Sequence, residues 1–189
     1  VASFSLAVNR RFARQGEERQ ADFINVVAWN KQGEFCSKYF KKGQQVGVTI
    51  AGAKSEHKNK AWAVGADGAL TNTDDAVYYS GNNTATITAY HPYNSAWTGT
   101  SHAFSVSTDQ SNEANYRNSD LLWATKTATK SEEAVALTFT HKLAKINVSL
   151  TSEDIADLSG ATISICGTNI ATNFKPSTGE LSAATADVQ

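Results

Sequence analysis

Leu137-Thr-Phe-Thr-His-Lys-Leu-Ala-Lys-Ile-Asn-Val-Ser-Leu150 is the stretch on which the fold turns. Its apolar residues fall on odd positions at Leu137 and Phe139, with Val135 just upstream, and on even positions at Ile146, Val148 and Leu150. A strand shows the same face every second residue, so each set reads as one face of a strand. The change of parity between them requires a bulge or tight bend near Lys142 to Lys145, because a one-residue slip turns every side chain to the other face. His141 shares the alternating face of Leu137 and Phe139, which suits a hydrogen-bonded structural histidine better than a catalytic one.

The same period recurs on both sides. Thr84 to Tyr90 sets Ala85, Ile87 and Ala89 against Thr84, Thr86, Thr88 and Tyr90, Ser101 to Ser107 puts Phe104 and Val106 on one face, and Ile163 and Ile165 continue the series. Gly65-Ala-Asp-Gly68, Ser80-Gly-Asn-Asn83 and Lys175-Pro-Ser-Thr-Gly179 supply turn residues. A helix of one or two turns is expected only over Glu153 to Leu158, behind a Ser152 cap. Many short strands between turn signals predict an all-β sandwich, with Ile87, Phe104, Leu137, Phe139, Ile146 and Val148 buried between its sheets.

Composition divides the chain of 189 residues. Up to Val48 there are eight basic residues against four acidic ones, a balance of +4, so the remainder must carry −5 of the total of −1. Threonine is absent from residues 1–48 and frequent from Thr49 onward. A change of charge sign and of vocabulary at one place argues for two segments of different origin, an apparent chimera joined near Val46-Gly-Val-Thr-Ile50. No apolar run approaches the roughly 18 residues of a membrane span, and no signal-peptide pattern is present. Val1 stands where an initiator Met would, which is compatible with a leader removed by processing. Cys36 and Cys166 match no metal spacing and define no disulfide framework.

In the first segment Phe4, Leu6 and Val8 alternate with Ser3, Ser5 and Ala7 as a half-buried strand does. A charged loop from Arg10 to Gln20, a second strand from Asp22 to Trp29, helical spacing over Lys31 to Lys42 ahead of Gly43, and a strand from Gln45 follow. That order is part of an oligonucleotide-binding (OB) barrel. Phe4-Ser-Leu-Ala-Val-Asn-Arg-Arg-Phe12, Gly16-Glu-Glu-Arg-Gln-Ala-Asp-Phe-Ile-Asn-Val-Val-Ala-Trp-Asn-Lys31 and Tyr39-Phe-Lys-Lys-Gly-Gln-Gln-Val-Gly-Val48 resemble bacterial single-stranded DNA-binding protein. The resemblance implies that Phe12, Phe23 and Trp29 stack bases while Arg10, Arg11 and Lys31 neutralise phosphates. Base stacking of this kind contributes roughly 1–3 kcal/mol per base. Packing of Phe23 in a core is the competing reading. The family's barrel has a further strand before this segment and closing strands after it; Thr49-Ile-Ala-Gly52 departs from that pattern, so an open fragment is expected to bind DNA far less well than the whole barrel.

The later segment resembles the fimbrillin-like proteins of Bacteroidales, subunits and tip adhesins of surface fimbriae. The resemblance is carried by Val46-Gly-Val-Thr-Ile50, Trp62 with Asp67-Gly-Ala-Leu70, Ala85-Thr-Ile-Thr-Ala-Tyr-His-Pro-Tyr93, Ser119-Asp-Leu-Leu-Trp-Ala124 and, above all, Phe139-x-His141-x-Leu143-Ala-Lys-Ile146. It implies a Greek-key, transthyretin-like β-sandwich, the family's N-terminal domain, over residues 49–189, preceded by a partial OB-fold segment with one short helix over 1–48. It further implies a non-enzymatic protein at the cell surface or outer membrane, whose partners are other fimbrial subunits engaged by strand exchange. The alternative is a cytoplasmic single-stranded DNA-binding module of replication or repair. In either family Val46, Val48 and Ile50 must pair within a sheet, and residues 45–50 are expected in the sandwich because its other strands lie downstream.

Catalytic constellations are missing. His57, His91, His102 and His141 share no metal spacing, and Asp67, Asn72, Asp74 and Asp75 lack the ligand order of a calcium loop. No nucleophile elbow, phosphate loop or dinucleotide fingerprint occurs. Trp62, Trp97 and Trp123 with Tyr90 and Tyr93 suit a sugar platform on composition alone, but core or rim packing is the stronger reading. The sequence therefore calls for no cofactor, no metal and no catalytic residue.

Overall fold

The computed structural model describes residues 40–72, 77–81, 83–130, 134–151, 159–161, 165 and 167–183 and, as backbone, 2–9 and 21–28. The expected helices over 31–42 and 153–158 fall, apart from residues 40–42, outside these described residues. Strands β1 (Ala2–Asn9) and β2 (Ala21–Ala28) form an antiparallel ladder of their own, with Phe4 across from Val26, Leu6 from Ile24 and Ala7 from Phe23.

The larger sheet has six strands in the order β5 (Leu70–Thr71), β4 (His57–Val64), β3 (Gln45–Ala51), β6 (Thr84–His91), β8 (Leu122–Thr129) and β9 (Thr140–His141). A smaller sheet follows the order β11 (Glu180–Ala183), β10 (Ala171–Lys175), β7 (His102–Ser105). Both are antiparallel throughout. The junction strand β3 is therefore central, paired with β4 on one side and β6 on the other, as its alternation requires.

Register sorts the side chains of the larger sheet into two faces. Val48 lies across from Ala89 and Ala89 across from Ala124; with Val46, Val64 and Leu122 they form one core, closed by Phe40 and Phe139. Val46, Ala89 and Leu122 are wholly buried. On the opposite face Gly47, Tyr90 and Trp123 lie in one cross-strand row. There the smaller sheet packs, bringing Phe104 and Phe174 against Tyr90, Trp97 and Leu121. Leu137 and Phe139 belong to the first core and Leu143 to the second, so the chain passes from one face to the other around the β9 edge. This is the physical form of the bend expected near Lys142, whose backbone N–H donates to the Leu121 carbonyl at 2.8 Å.

Burial of Phe104 and Phe139 matches the expectation, and Ile87 and Leu137 are partly buried against the first core. Ile146 and Val148 correct it: both are more than half exposed, and residues 142–150 enter no ladder among the described residues. After Leu143 has entered the second core, the next even-numbered apolar residues find no strand alongside among the described residues. Residues 135–139 are likewise not a strand; only Thr140 and His141 pair, with Trp123 and Leu122. One helix was not anticipated, α1 (Glu113–Asn118). The Asn112 side chain caps it by accepting from the Asn115 N–H at 2.8 Å, and none of its residues is buried.

Candidate functional site

Where β3 meets β4 the register slips between Val48 and Ile50, leaving an irregularity in β4. Asn59 sits within it at φ 45°, a left-handed conformation that Asn tolerates better than most residues. Its backbone N–H donates to Thr49 Oγ1 at 3.0 Å. Its Oδ1 accepts from the Tyr90 hydroxyl at 2.6 Å, and its Nδ2 donates to the Asn94 carbonyl at 2.9 Å. Tyr90 can cross the sheet because Gly47, opposite it, has no side chain; a Cβ there would lie 2.5 Å from Tyr90 Cζ. Burial pushes the Tyr90 phenol up to about 12, against the opposing pull of its bonds to Asn94 and Asn59. The hydroxyl is thus a permanent donor at neutral pH, tying the loop after β6 onto β4.

The aromatic residues weighed as a sugar platform are distributed through this packing. Tyr90 stacks on Trp97 with centroids 5.4 Å apart, and Trp97 stacks in turn on His102. Trp62 stands on the other face, its indole N–H donating to His57 Nε2 at 2.9 Å. Trp123 donates to the Pro176 carbonyl at 2.9 Å, and Gly179 at φ 70° leaves room for its ring. The five residues consequently form no common exposed plane.

Of the histidines, His141 is held by Asp120 at 2.7 Å, in line with a structural role. His91 is buried, with Nδ1 3.1 Å from the Gln45 carbonyl and its ring edge-on to Phe40. Asp67 accepts from the Ala69 N–H at 3.1 Å and so closes a turn; Asp74 and Asp75 lie outside the described residues. Among the described residues no three His, Cys, Asp or Glu side chains gather as a metal site.

Arg10, Arg11, Phe12, Trp29 and Lys31, the expected DNA-contacting residues, lie outside the described residues. Phe23 lies in β2, where the backbone register sets it across from Ala7 of β1.

The edges of the sheets are the remaining candidate surface. The larger sheet ends in β5 and β9, two residues each, whereas the smaller one ends in β7 and β11, four residues each. All of β11 is exposed, Leu181 included. Such edges offer unpaired backbone groups to another chain. Among the described residues no helix is long and apolar enough to cross a membrane.

Comparison with known proteins gives two distinct likenesses. Over 48 residues, a quarter of this chain, it is 60% identical to the single-stranded DNA-binding protein of Bacillus cereus, and over 49 residues 57% identical to that of Streptococcus pneumoniae. The chain spans only 28% and 31% of those proteins. Among solved structures, a protein of Bacteroides uniformis assigned to cell adhesion superposes with a TM-score of 0.64 at 20% identity, over 81% of this chain and 64% of that one. A second, from Bacteroides ovatus, gives 0.55 at 18%, over 81% and 61%. These share the fold, and this chain spans less than two thirds of either. The fimbrillin-like family model matches residues 16–189, starting upstream of Val46 and overlapping the DNA-binding-like stretch. With its sandwich core running from Phe40 to Phe174 and the family match covering nearly its whole length, the chain belongs to the fimbrillin-like family.

Proposed function

We propose that this chain is a non-enzymatic subunit or adhesin of a surface fimbria, located at the cell surface, and that it joins neighbouring subunits by strand exchange. The observation that carries the reading is the family match over residues 16–189. Support for the assembly mode comes from the smaller sheet, whose edges β7 and β11 could each accept an added strand; main-chain hydrogen bonds would supply affinity and alternate side chains the specificity. In this reading the sandwich domain is residues 49–189 together with the strand and Phe40 that lead into it, and the preceding residues are a barrel-derived appendage. Immunogold labelling of intact cells of the source organism tests the location: labelled filaments are expected, and label confined to permeabilised cells would overturn it. Material sheared from those cells should run as a ladder on unboiled gels if subunits are joined by exchanged strands; a single band would refute that mode.

A second reading, single-stranded DNA binding through residues 1–48, is favoured by the 60% identity over 48 residues. Mobility shift of a thymidine oligomer tests it. Binding that weakens steeply as salt rises would support it, because counterion release drives such complexes; an unshifted oligomer at low salt would dismiss it.

A further inference from the structure

Between β7 and β8 the chain makes an excursion over residues 108–118, which carries α1 and contains no buried residue. Its neck is closed by the Ser107 N–H, which donates to Ser119 Oγ at 2.9 Å, and just past the neck Leu121 is wholly buried. Arg117, in the last turn of α1, brings its backbone to the ring of the buried His91 at the end of β6. On another side the His91 Nδ1 lies 3.1 Å from the Gln45 carbonyl of β3, and Phe40 meets the ring edge-on with centroids 5.4 Å apart. A neutral imidazole has one N–H and can donate to one side alone; the imidazolium donates on both but must give up its water to stay buried. The side-chain ties between α1 and the rest of the molecule lie at the surface, Glu113 to Lys41 and Tyr116 to Lys145 at 2.8 Å. Exposed pairs of this kind hold weakly.

We propose that this excursion is a proton-operated lid: protonation of His91 lifts residues 108–118 from the end of β6 while the two sheets stay closed beneath it. A buried imidazolium calls for water, and lifting the lid admits water with the least disruption, because the lid contributes no buried residue to either core. The charges that face the ring, among the described residues, set the balance. Arg117 on the lid opposes a second positive charge, whereas Asp120, past the neck, favours one. Asp120 is itself held by His141 of β9 at 2.7 Å. Gln45 and Phe40 bring no charge, and Lys41 beside Phe40 is paired with Glu113. Lifting the lid carries the Arg117 guanidinium away, hydrates the ring and leaves Asp120 in place. The open form therefore binds the proton more tightly than the closed one, whose imidazole burial holds below the usual histidine range, and falling pH favours opening. The inference concerns a single chain and goes beyond the fimbrial reading, which concerns its neighbours.

Chemical-exchange saturation NMR on the isotope-labelled full chain reads the open form directly, because it detects sparsely populated states that exchange in milliseconds. A minor state of the α1 amides is expected, and its population should rise by up to about tenfold between pH 7.5 and 5.5, as the open form takes up its proton near 6.5. The amides of β6 and β8 should show no such state. H91Q and H91N, which keep an amide to donate to Gln45 but no titrating ring, should hold the population level across that range. H141Q, which alters the histidine on the far side of Asp120, should retain the rise. An α1 without a minor state, a population independent of pH, or the same exchange in β6 and β8 would each overturn the proposal from the wild-type chain alone. A rise that persists in the His91 variants, or that is lost in H141Q, would overturn it as well.

Discussion

Gly47 and Tyr90 show how a single missing side chain organises the interior. Tyr90 occupies the space over Gly47 and reaches Asn59, so the ring, the hydroxyl bond and the left-handed Asn59 form one unit. The Gly47→Ala variant forces the ring or the strand to move, and overpacking of this kind costs about 1–3 kcal/mol. A chemical denaturation midpoint lowered accordingly, with an unchanged slope, is the expected result; wild-type stability would show that the ring can yield. Neither Gly47 nor Asn59 announces this role in the sequence, where one is a glycine in an alternating strand and the other an Asn between two lysines. Only the pairing of β3 with both β4 and β6 brings them to the same tyrosine.

At the scale of the elements, the C-terminal end of β6 carries a titratable weak point. His91 is 3% exposed, and among the described residues its Nε2 makes no hydrogen bond of good geometry, though the Arg117 backbone lies near enough to favour its proton. Burial holds its imidazole below the usual histidine range, outweighing the bond to the Gln45 carbonyl, the Arg117 backbone and the charge of Asp120. The folded protein therefore resists protonation while the unfolded chain takes up the proton near the ordinary value of about 6.5. Stability should be level above that pH and fall as pH drops below it towards the folded value. Urea midpoints measured between pH 7.5 and 5.5 check this, and His91→Gln, which keeps a donor for Gln45, should flatten the decline. The lowered carboxylates Glu56, Asp109 and Glu113 are fully exposed and titrate below the usual carboxylate range, so they do not contribute in that window. Helix α1 illustrates what pattern reading misses at this scale. With no buried residue it has no apolar stripe, and only its Asn112 cap and the Glu113–Arg117 pair mark it.

For the whole molecule, the fimbrillin-like match begins at residue 16 and overlaps the DNA-binding-like stretch, so only the charge and threonine discontinuity marks a division near Val48. Yet β3 straddles it, and Phe40 from the earlier side closes the first core, edge-on to Phe139 at 5.2 Å. If the preceding residues are an appendage, trypsin acting at Arg10, Arg11, Arg14 and Arg19 should leave a resistant fragment that retains β3 and everything after it. Mass spectrometry of the digest identifies that fragment. Survival of the first segment with loss of residues 50–189 would reverse the assignment of the dominant folded unit.

Local alternation was enough to determine that the later segment is an all-β sandwich, that Phe104 and Phe139 are buried, that residues 45–50 form a strand and that Lys175 to Gly179 turn a hairpin. These properties follow from period and turn chemistry, which a few neighbouring residues carry by themselves. Tertiary structure alone decided which apolar strands find a partner. Ile87 and Ile146 have equivalent alternating surroundings, but β3 and β8 flank Ile87, whereas among the described residues no strand lies beside Ile146. Burial is a property of what packs against a residue, and that neighbour comes from a distant part of the chain or from another chain.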